Sequence, residues 1–137
     1  MKTLSIQQPF PFLILRPDLI DSKKRAAAIK NSEIKLIENR TWNTTHRGDF
    51  LIHSSARPAR DIDTYRDILA EFGIVIPATA DLPYGQIVGK AKLINVVSEA
   101  EDFWFTGPFG FVLDNPVSFE IPQKAKGKLG FWDYIFP

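Results

Sequence analysis

Apolar residues along this chain recur mostly in short runs with a two-residue period, a pattern that is typical of β-strands. We expect strands over residues 3–7, 34–40, 50–54, 86–97, 109–113 and 117–119, with Asp114-Asn115-Pro116 as a turn between the last two. The segment 86–97 is long and rich in β-branched residues, and it places Lys90 and Lys92 on one face. Lysines on an open strand face can bind phosphates or simply keep a sheet soluble.

Helical patterns are fewer. Residues 10–15 are almost entirely apolar and contain a proline near the start, which predicts a short buried helix that ends near Arg16. Residues 58–72 place Ile62, Tyr65, Leu69 and Phe72 on one helical face, and Gly73 ends the pattern. The polar residues 18–33, with Asp21 as N-cap, predict a helical insertion outside the core pattern. A lid and a dimer contact are both open roles for this insertion.

Many short strands with few helices predict an α+β, mainly β fold, a small β-barrel of about five to six strands with flanking helices. The 137 residues suit one domain, and we find no repeat or linker. No apolar run approaches the roughly 20 residues that span a bilayer, and the N-terminus lacks the long apolar core of a signal peptide. We therefore expect a cytoplasmic protein without a membrane partner.

Composition excludes several chemistries. The chain has no cysteine, which excludes thiol nucleophiles, thiolate metal sites and iron–sulfur clusters. His46 and His53 lack a recognised metal-ligand spacing, so we predict no metal and no cofactor. Charge is segregated: residues 1–60 hold 11 basic and 5 acidic side chains, and residues 61–137 hold 6 and 11. This asymmetry is one expected sign of a basic surface for phosphates, although Lys23, Lys24, Arg25 and Lys30 taken alone are better explained as the solvated face of one helix.

The candidate chemistry lies in the segment Lys35-x-x-Glu38-x-Arg40. Alternate residues of a strand share a face, so Glu38 and Arg40 can organise each other by charge-assisted hydrogen bonding. We expect Lys35, Arg40 and Arg47 to contact phosphates or a base edge, and Trp42 to stack on a base. His53 and Ser54, at the end of an apolar strand, complete the predicted site. Each has a structural alternative: a salt bridge for Lys35 and Glu38, and core packing for Trp42 and His53.

These motifs resemble the ASCH domain, a branch of the PUA-like superfamily. The similarity rests on Leu4-Ser5-Ile6-Gln7-Gln8-Pro9-Phe10, on Lys35-Leu36-Ile37-Glu38-Asn39-Arg40-Thr41-Trp42, on Arg47-Gly48 with Leu51 to Ala56, and on Lys126-Gly127-Lys128-Leu129-Gly130-Phe131-Trp132. It covers nearly the whole chain in order. The resemblance implies a PUA-like barrel over residues 1–137, with an insertion at 18–33 in place of the usual tight turn. It also implies a cleft that binds single-stranded RNA, a modified nucleoside or a nucleotide.

The same resemblance implies an enzymatic alternative. Some small ASCH proteins are similar to amidohydrolases that act on acetylated cytidine with a lysine, a threonine three residues later and a distant glutamate. Lys35 matches the lysine, Glu38 stands at the threonine position, and the distant glutamate corresponds only loosely to Glu99 or Glu101. Lys35 and Glu38 are thus the catalytic candidates if the protein is a hydrolase. A ribonuclease using Lys35, Arg40, His53 and Ser54 and a protein-interaction module are further alternatives.

Overall fold

The computed structural model describes all of residues 1–137 and contains one six-stranded sheet, curled into a half-barrel, with three α-helices. In chain order the elements are β1 (Lys2–Ile6), α1 (Phe10–Leu15), α2 (Ser22–Lys30), β2 (Ile37–Arg40), β3 (Gly48–Ser54), α3 (Ile62–Ala70), β4 (Gln86–Val97), β5 (Phe109–Lys124) and β6 (Phe131–Asp133). A short 3₁₀ turn spans Thr79–Asp81. None of the helices has the length and apolar character that crossing a bilayer requires.

The strand order is β2-β5-β4-β3-β1-β6, and only the β1–β3 pair is parallel. Leu4 pairs with Ile52 of β3 on one side and with Phe131 of β6 on the other. The two edge strands, β2 and β6, are not paired with each other, so the curl remains open along one seam. The arrangement confirms the predicted mainly β, barrel-like fold with flanking helices.

Two apolar clusters hold the fold together, and α1 contributes to both. Ile14 and Leu15 pack into the concave side of the sheet with residues such as Phe50 and Phe111. Phe12 and Leu13 face a second cluster formed by the side chains of Ile37, Ile62, Leu69, Ile74, Ile76, Leu82 and Trp104. Because burial of each such side chain is worth about 1.5–3 kcal/mol, the apolar α1 ties the sheet to α3.

The strand β5 differs from its prediction. Asp114–Pro116 does not form a turn between two strands, because the chain continues as one strand through a bulge. Lys92 pairs with Asp114 and Lys90 with Val117, so that Asn115 and Pro116 of β5 lie opposite the single residue Ala91, and Asn115 takes a positive φ of 49°. The bulge accommodates Pro116, which has no N–H to donate to a ladder.

Two further predicted bounds are wrong. The strand expected at residue 34 begins only at Ile37, since Lys35 N donates to Leu13 O of α1 at 2.8 Å instead of joining a ladder. The helix α3 ends at Ala70, so Phe72 lies beyond it and is half exposed. Ile74, whose N–H bonds to Leu69 O, is buried in its place.

The predicted insertion contains α2, and Asp21 caps it by accepting from Lys24 N at 2.9 Å. Arg25 attaches the helix to the barrel, because its guanidinium donates to Arg16 O at 3.1 Å and to Pro116 O at 2.9 Å. Arg16 in turn binds Asp18 through two hydrogen bonds. The basic residues of this region are therefore divided between internal bonds and a solvated helix face.

Candidate functional site

A cleft of about 660 Å³ opens at the seam of the half-barrel. Its walls come from β1, β2 and β3, from the start of α1, and from the loop that joins β5 to β6. The charged side chains that line it are Glu38, Arg40, Lys126 and Lys128. Three cations and one anion give these walls an excess of positive charge, and we call this space the basic cleft.

A second pocket of about 260 Å³ lies beside the basic cleft. Its lining is largely aromatic, with the rings of Phe10, Tyr65, Phe103 and Trp104. Lys35, Glu38, Asn39 and Thr106 supply polar groups. Phe10, Glu38 and Asn39 line both spaces and so form the wall between them. We call the second space the aromatic pocket.

Glu38 is the centre of a buried ion network. Its Oε1 lies 2.9 Å from Lys35 Nζ and its Oε2 lies 3.1 Å from Arg40 Nη2. Lys35 also donates to the carbonyl oxygen of Ile37, and its ammonium lies 5.0 Å from the ring centre of Phe10. With 4% of its side chain exposed, Lys35 directs its donors to protein groups and holds Glu38 in place.

Arg40 serves both the fold and the cleft. Its Nη2 donates to Ser5 O at 2.8 Å, across the seam between β2 and β1. Its Nε is buried and has no hydrogen-bond partner in the protein. The Arg40 side chain is 22% exposed and lines the cleft, so the accessible part of its guanidinium can also contact a ligand there.

His53 is buried and both of its ring nitrogens are engaged. Nε2 lies 2.7 Å from Ala125 O, which can only accept, so this nitrogen carries the hydrogen. Nδ1 therefore accepts from the hydroxyl of Ser5 at 3.0 Å, and that hydroxyl in turn accepts from Trp132 Nε1–H at 3.1 Å. Burial lowers the pKa of His53, an effect that the bond to Ala125 partly offsets. The neutral ring anchors the loop that carries Lys126 and Lys128.

Three of the predicted site residues do not lie in the cleft. Trp42 is partly buried and packs edge-on against Phe111 and Phe131, with ring centres 5.3 and 5.7 Å away, beside the core. Arg47 is exposed and donates to carbonyl oxygens of its own loop. Ser54 is fully buried, with its hydroxyl donating to Gln86 O at 3.2 Å. These three residues line neither the basic cleft nor the aromatic pocket.

The structure brings together Lys35, Glu38, Arg40 and His53, and adds residues that sequence reasoning missed. Ser5, Gln7, Phe10 and Ser55 line the basic cleft, and Lys126 and Lys128 supply most of its positive charge. The alternation of Lys126-Gly127-Lys128 directly after a strand is the one sequence signal for these lysines. Lys90 and Lys92 of β4 line neither space.

No family model matches the chain, and no curated protein matches it. The structure contains no group of three or more His, Asp or Glu side chains placed to hold a metal ion. The site is therefore described by its own geometry. It consists of a basic cleft and an aromatic pocket, separated by a wall that contains Glu38.

Proposed function

We propose that this protein binds single-stranded RNA or a modified nucleotide in the basic cleft. The observation that carries the proposal is the excess positive charge of that cleft, where Arg40, Lys126 and Lys128 face a single carboxylate, Glu38. Phosphate groups are the ligand chemistry that such a surface attracts. The volume of about 660 Å³ also falls within the range of small-ligand sites.

The resemblance of the chain to the ASCH domain supports the same proposal. The residues that carry that resemblance include Glu38, Arg40 and the Lys126–Gly130 loop, and all of them line the basic cleft. That resemblance implies RNA or a modified nucleoside as the ligand, and a cytoplasmic location is what the sequence alone suggests.

Binding is better supported than hydrolysis. A hydrolase needs a base or an activated nucleophile that is free to act on the substrate. Lys35 is already bonded to Ile37 O and Glu38, and His53 has both nitrogens occupied. Glu99 and Glu101, the loose matches to a distant catalytic glutamate, are exposed and line neither space.

The test is the salt dependence of binding to a labelled, mixed-sequence single-stranded RNA, followed by fluorescence anisotropy. The double variant Lys126→Ala/Lys128→Ala removes two charges from the cleft, and Lys23→Ala/Lys24→Ala removes two exposed charges from α2 as the matched control. We expect the first pair to reduce the slope of log K against log salt by about 1.4, since each phosphate contact to a single strand contributes about 0.7.

The control pair should leave that slope unchanged. Equal slopes for the wild type and the cleft variant would contradict the proposal. Chromatography of the RNA and of a panel of modified nucleosides after incubation separates binding from turnover. Products that disappear with Lys35→Ala would establish the hydrolase instead.

A further inference from the structure

We infer that the two spaces bind two parts of one nucleotide: the aromatic pocket takes the base and the basic cleft takes the phosphate. Glu38, in the wall between them, selects bases that carry an exocyclic amino group. The inference rests on the proposed function, and it adds the orientation of the ligand and the base edge that is recognised.

The aromatic pocket is suited to a flat, uncharged ring. Phe103 lies nearly perpendicular to Trp104, with ring centres 4.8 Å apart, and Phe10 is related to Tyr65 in the same way at 5.1 Å. Phe103 lines this pocket and is half exposed, although it also contacts Phe72, so its ring can contact a base bound there. The only charges in the lining, Lys35 and Glu38, neutralise each other.

The basic cleft has the complementary character. Its cations, Arg40, Lys126 and Lys128, lie on the other side of Glu38 from the aromatic rings. The Arg40 side chain lines the cleft and is 22% exposed, so its guanidinium can donate to a phosphate oxygen there. A ligand with a flat ring at one end and an anion at the other matches both spaces at once.

The wall between the spaces determines which base fits. A carboxylate offers only acceptors, and each oxygen of Glu38 is already held by one cation, Lys35 or Arg40. A base must therefore present a donor to the remaining lone pairs. The amino groups of cytosine and adenine do so. Uracil and hypoxanthine carry a carbonyl oxygen at the same position, which the carboxylate repels, and their donor on this edge is only the neighbouring ring N–H, so we expect them to bind less tightly. Tyr65 and Thr106 supply hydroxyls that adapt to the rest of the edge.

The experiment is isothermal titration calorimetry with two pairs of ligands that differ in the amino group, cytidine with uridine monophosphate and adenosine with inosine monophosphate. Ribose 5-phosphate reports the phosphate site alone. The proteins are the wild type, Phe103→Ala, and Lys126→Ala/Lys128→Ala. Phe136→Ala is the matched control, since Phe136 is as exposed as Phe103 and lines neither space.

We expect the amino-bearing nucleotide of each pair to bind about tenfold more tightly or better, the equivalent of one lost hydrogen bond to a charged acceptor. Phe103→Ala should weaken the nucleotides about 5- to 150-fold and leave ribose 5-phosphate unchanged, because only the base is stacked. The double lysine variant should weaken every phosphate-bearing ligand. Phe136→Ala should change none of these affinities.

Equal binding within both pairs would overturn the selectivity, and a Phe103→Ala variant that binds nucleotides like the wild type would overturn the two-part site. Either result, with the lysine effect retained, leaves the proposed function standing. If neither RNA nor any phosphate-bearing ligand binds, the proposed function fails and this inference fails with it. Circular dichroism of each variant shows whether the fold is retained, and Phe103→Leu, which keeps apolar volume without an aromatic face, repeats the test.

Discussion

Arg40 and Ser5 are joined by a hydrogen bond of 2.8 Å between the Arg40 guanidinium and the Ser5 carbonyl oxygen. The bond connects β2 with β1, although three strands separate them in the sheet. It crosses the seam of the half-barrel at the position where the basic cleft opens. One side chain therefore holds two walls of the cleft together while it also pairs with Glu38.

Replacing Arg40 should destabilise the protein as well as weaken ligand binding. Arg40→Ala removes a charged donor from Ser5 O, and we expect the free energy of unfolding to fall by about 1.5–3 kcal/mol. Arg40→Lys should lose less, since one ammonium can keep one of the two contacts. Urea unfolding gives the free energy of unfolding of each of the two variants. Arg47→Ala is the control, because Arg47 bonds only within its own exposed loop, and an equal loss in the control would contradict the role of the seam bond.

The network around Glu38 predicts an order of stabilities. Glu38→Gln leaves two cations, Lys35 and Arg40, without their shared carboxylate, and we expect a loss of about 3–5 kcal/mol. Lys35→Met should be milder, at about 1–3 kcal/mol, because Glu38 keeps Arg40 as a partner. Chemical denaturation of both variants under the same conditions gives the order. A Lys35→Met variant less stable than Glu38→Gln would show that Lys35 has a role beyond neutralising Glu38.

Acid should weaken the fold through His53. Burial, the largest contribution, lowers the pKa of this ring below its ordinary value of 6.5. As the pH falls below about 6.5 the unfolded chain binds the proton first, so stability declines until the pH has passed the lower pKa of the folded state. The change in the free energy of unfolding between about pH 7.5 and about pH 5.5 is measured for the wild type and for His53→Gln. The difference between the two proteins isolates the contribution of His53, because all other groups titrate in both proteins. An NMR titration that gives His53 a pKa above 6.5 would refute it.

Gly127 should tolerate no side chain. A Cβ at this position would lie 2.8 Å from His53 Cε1 and 2.8 Å from Ser5 Oγ, which requires the loop or the ring to move. We expect Gly127→Ala to lower stability by about 1–3 kcal/mol and to weaken nucleotide binding, because the loop carries the lysines of the cleft. Thermal unfolding of Gly127→Ala is compared with that of Lys126→Ala, in which an exposed neighbouring side chain is removed. If both variants unfold alike, the loop is not held against His53 in solution.

Local sequence signals predicted the elements that depend on local chemistry. The bounds of β4, the buried α1 and the cap at Asp21 all follow from residues that are close in the chain. The pairing of Glu38 with Arg40 also follows from strand periodicity, and the structure shows it. In each case the determining interaction spans only a few residues, so that pattern and capping rules suffice.

The basic cleft required tertiary information. Lys126 and Lys128 reach it because β6 returns beside β1, a pairing between the two ends of the chain. Part of the positive charge of residues 1–60 lies elsewhere, because Arg16 bonds to Asp18, and Arg25 of α2 bonds to Arg16 O and Pro116 O, instead of lining the cleft. Sequence patterns also gave no sign that Trp42, partly buried beside the core, packs against the rings of Phe111 and Phe131, which are distant in sequence.

The position of β1 sets the order in which the chain can fold. The strands β3, β4 and β5 pair antiparallel with their neighbours in sequence, β3 with β4 across the segment that contains α3, and β4 with β5 across a shorter loop. β1 instead lies between β3 and β6 and joins the first strand to the last, with a large loss of chain entropy. We therefore expect β1 to insert late, after the meander has formed, and refolding to be slow for a domain of this size. The cleft is completed only in that last step, because Ser5 belongs to the inserted strand.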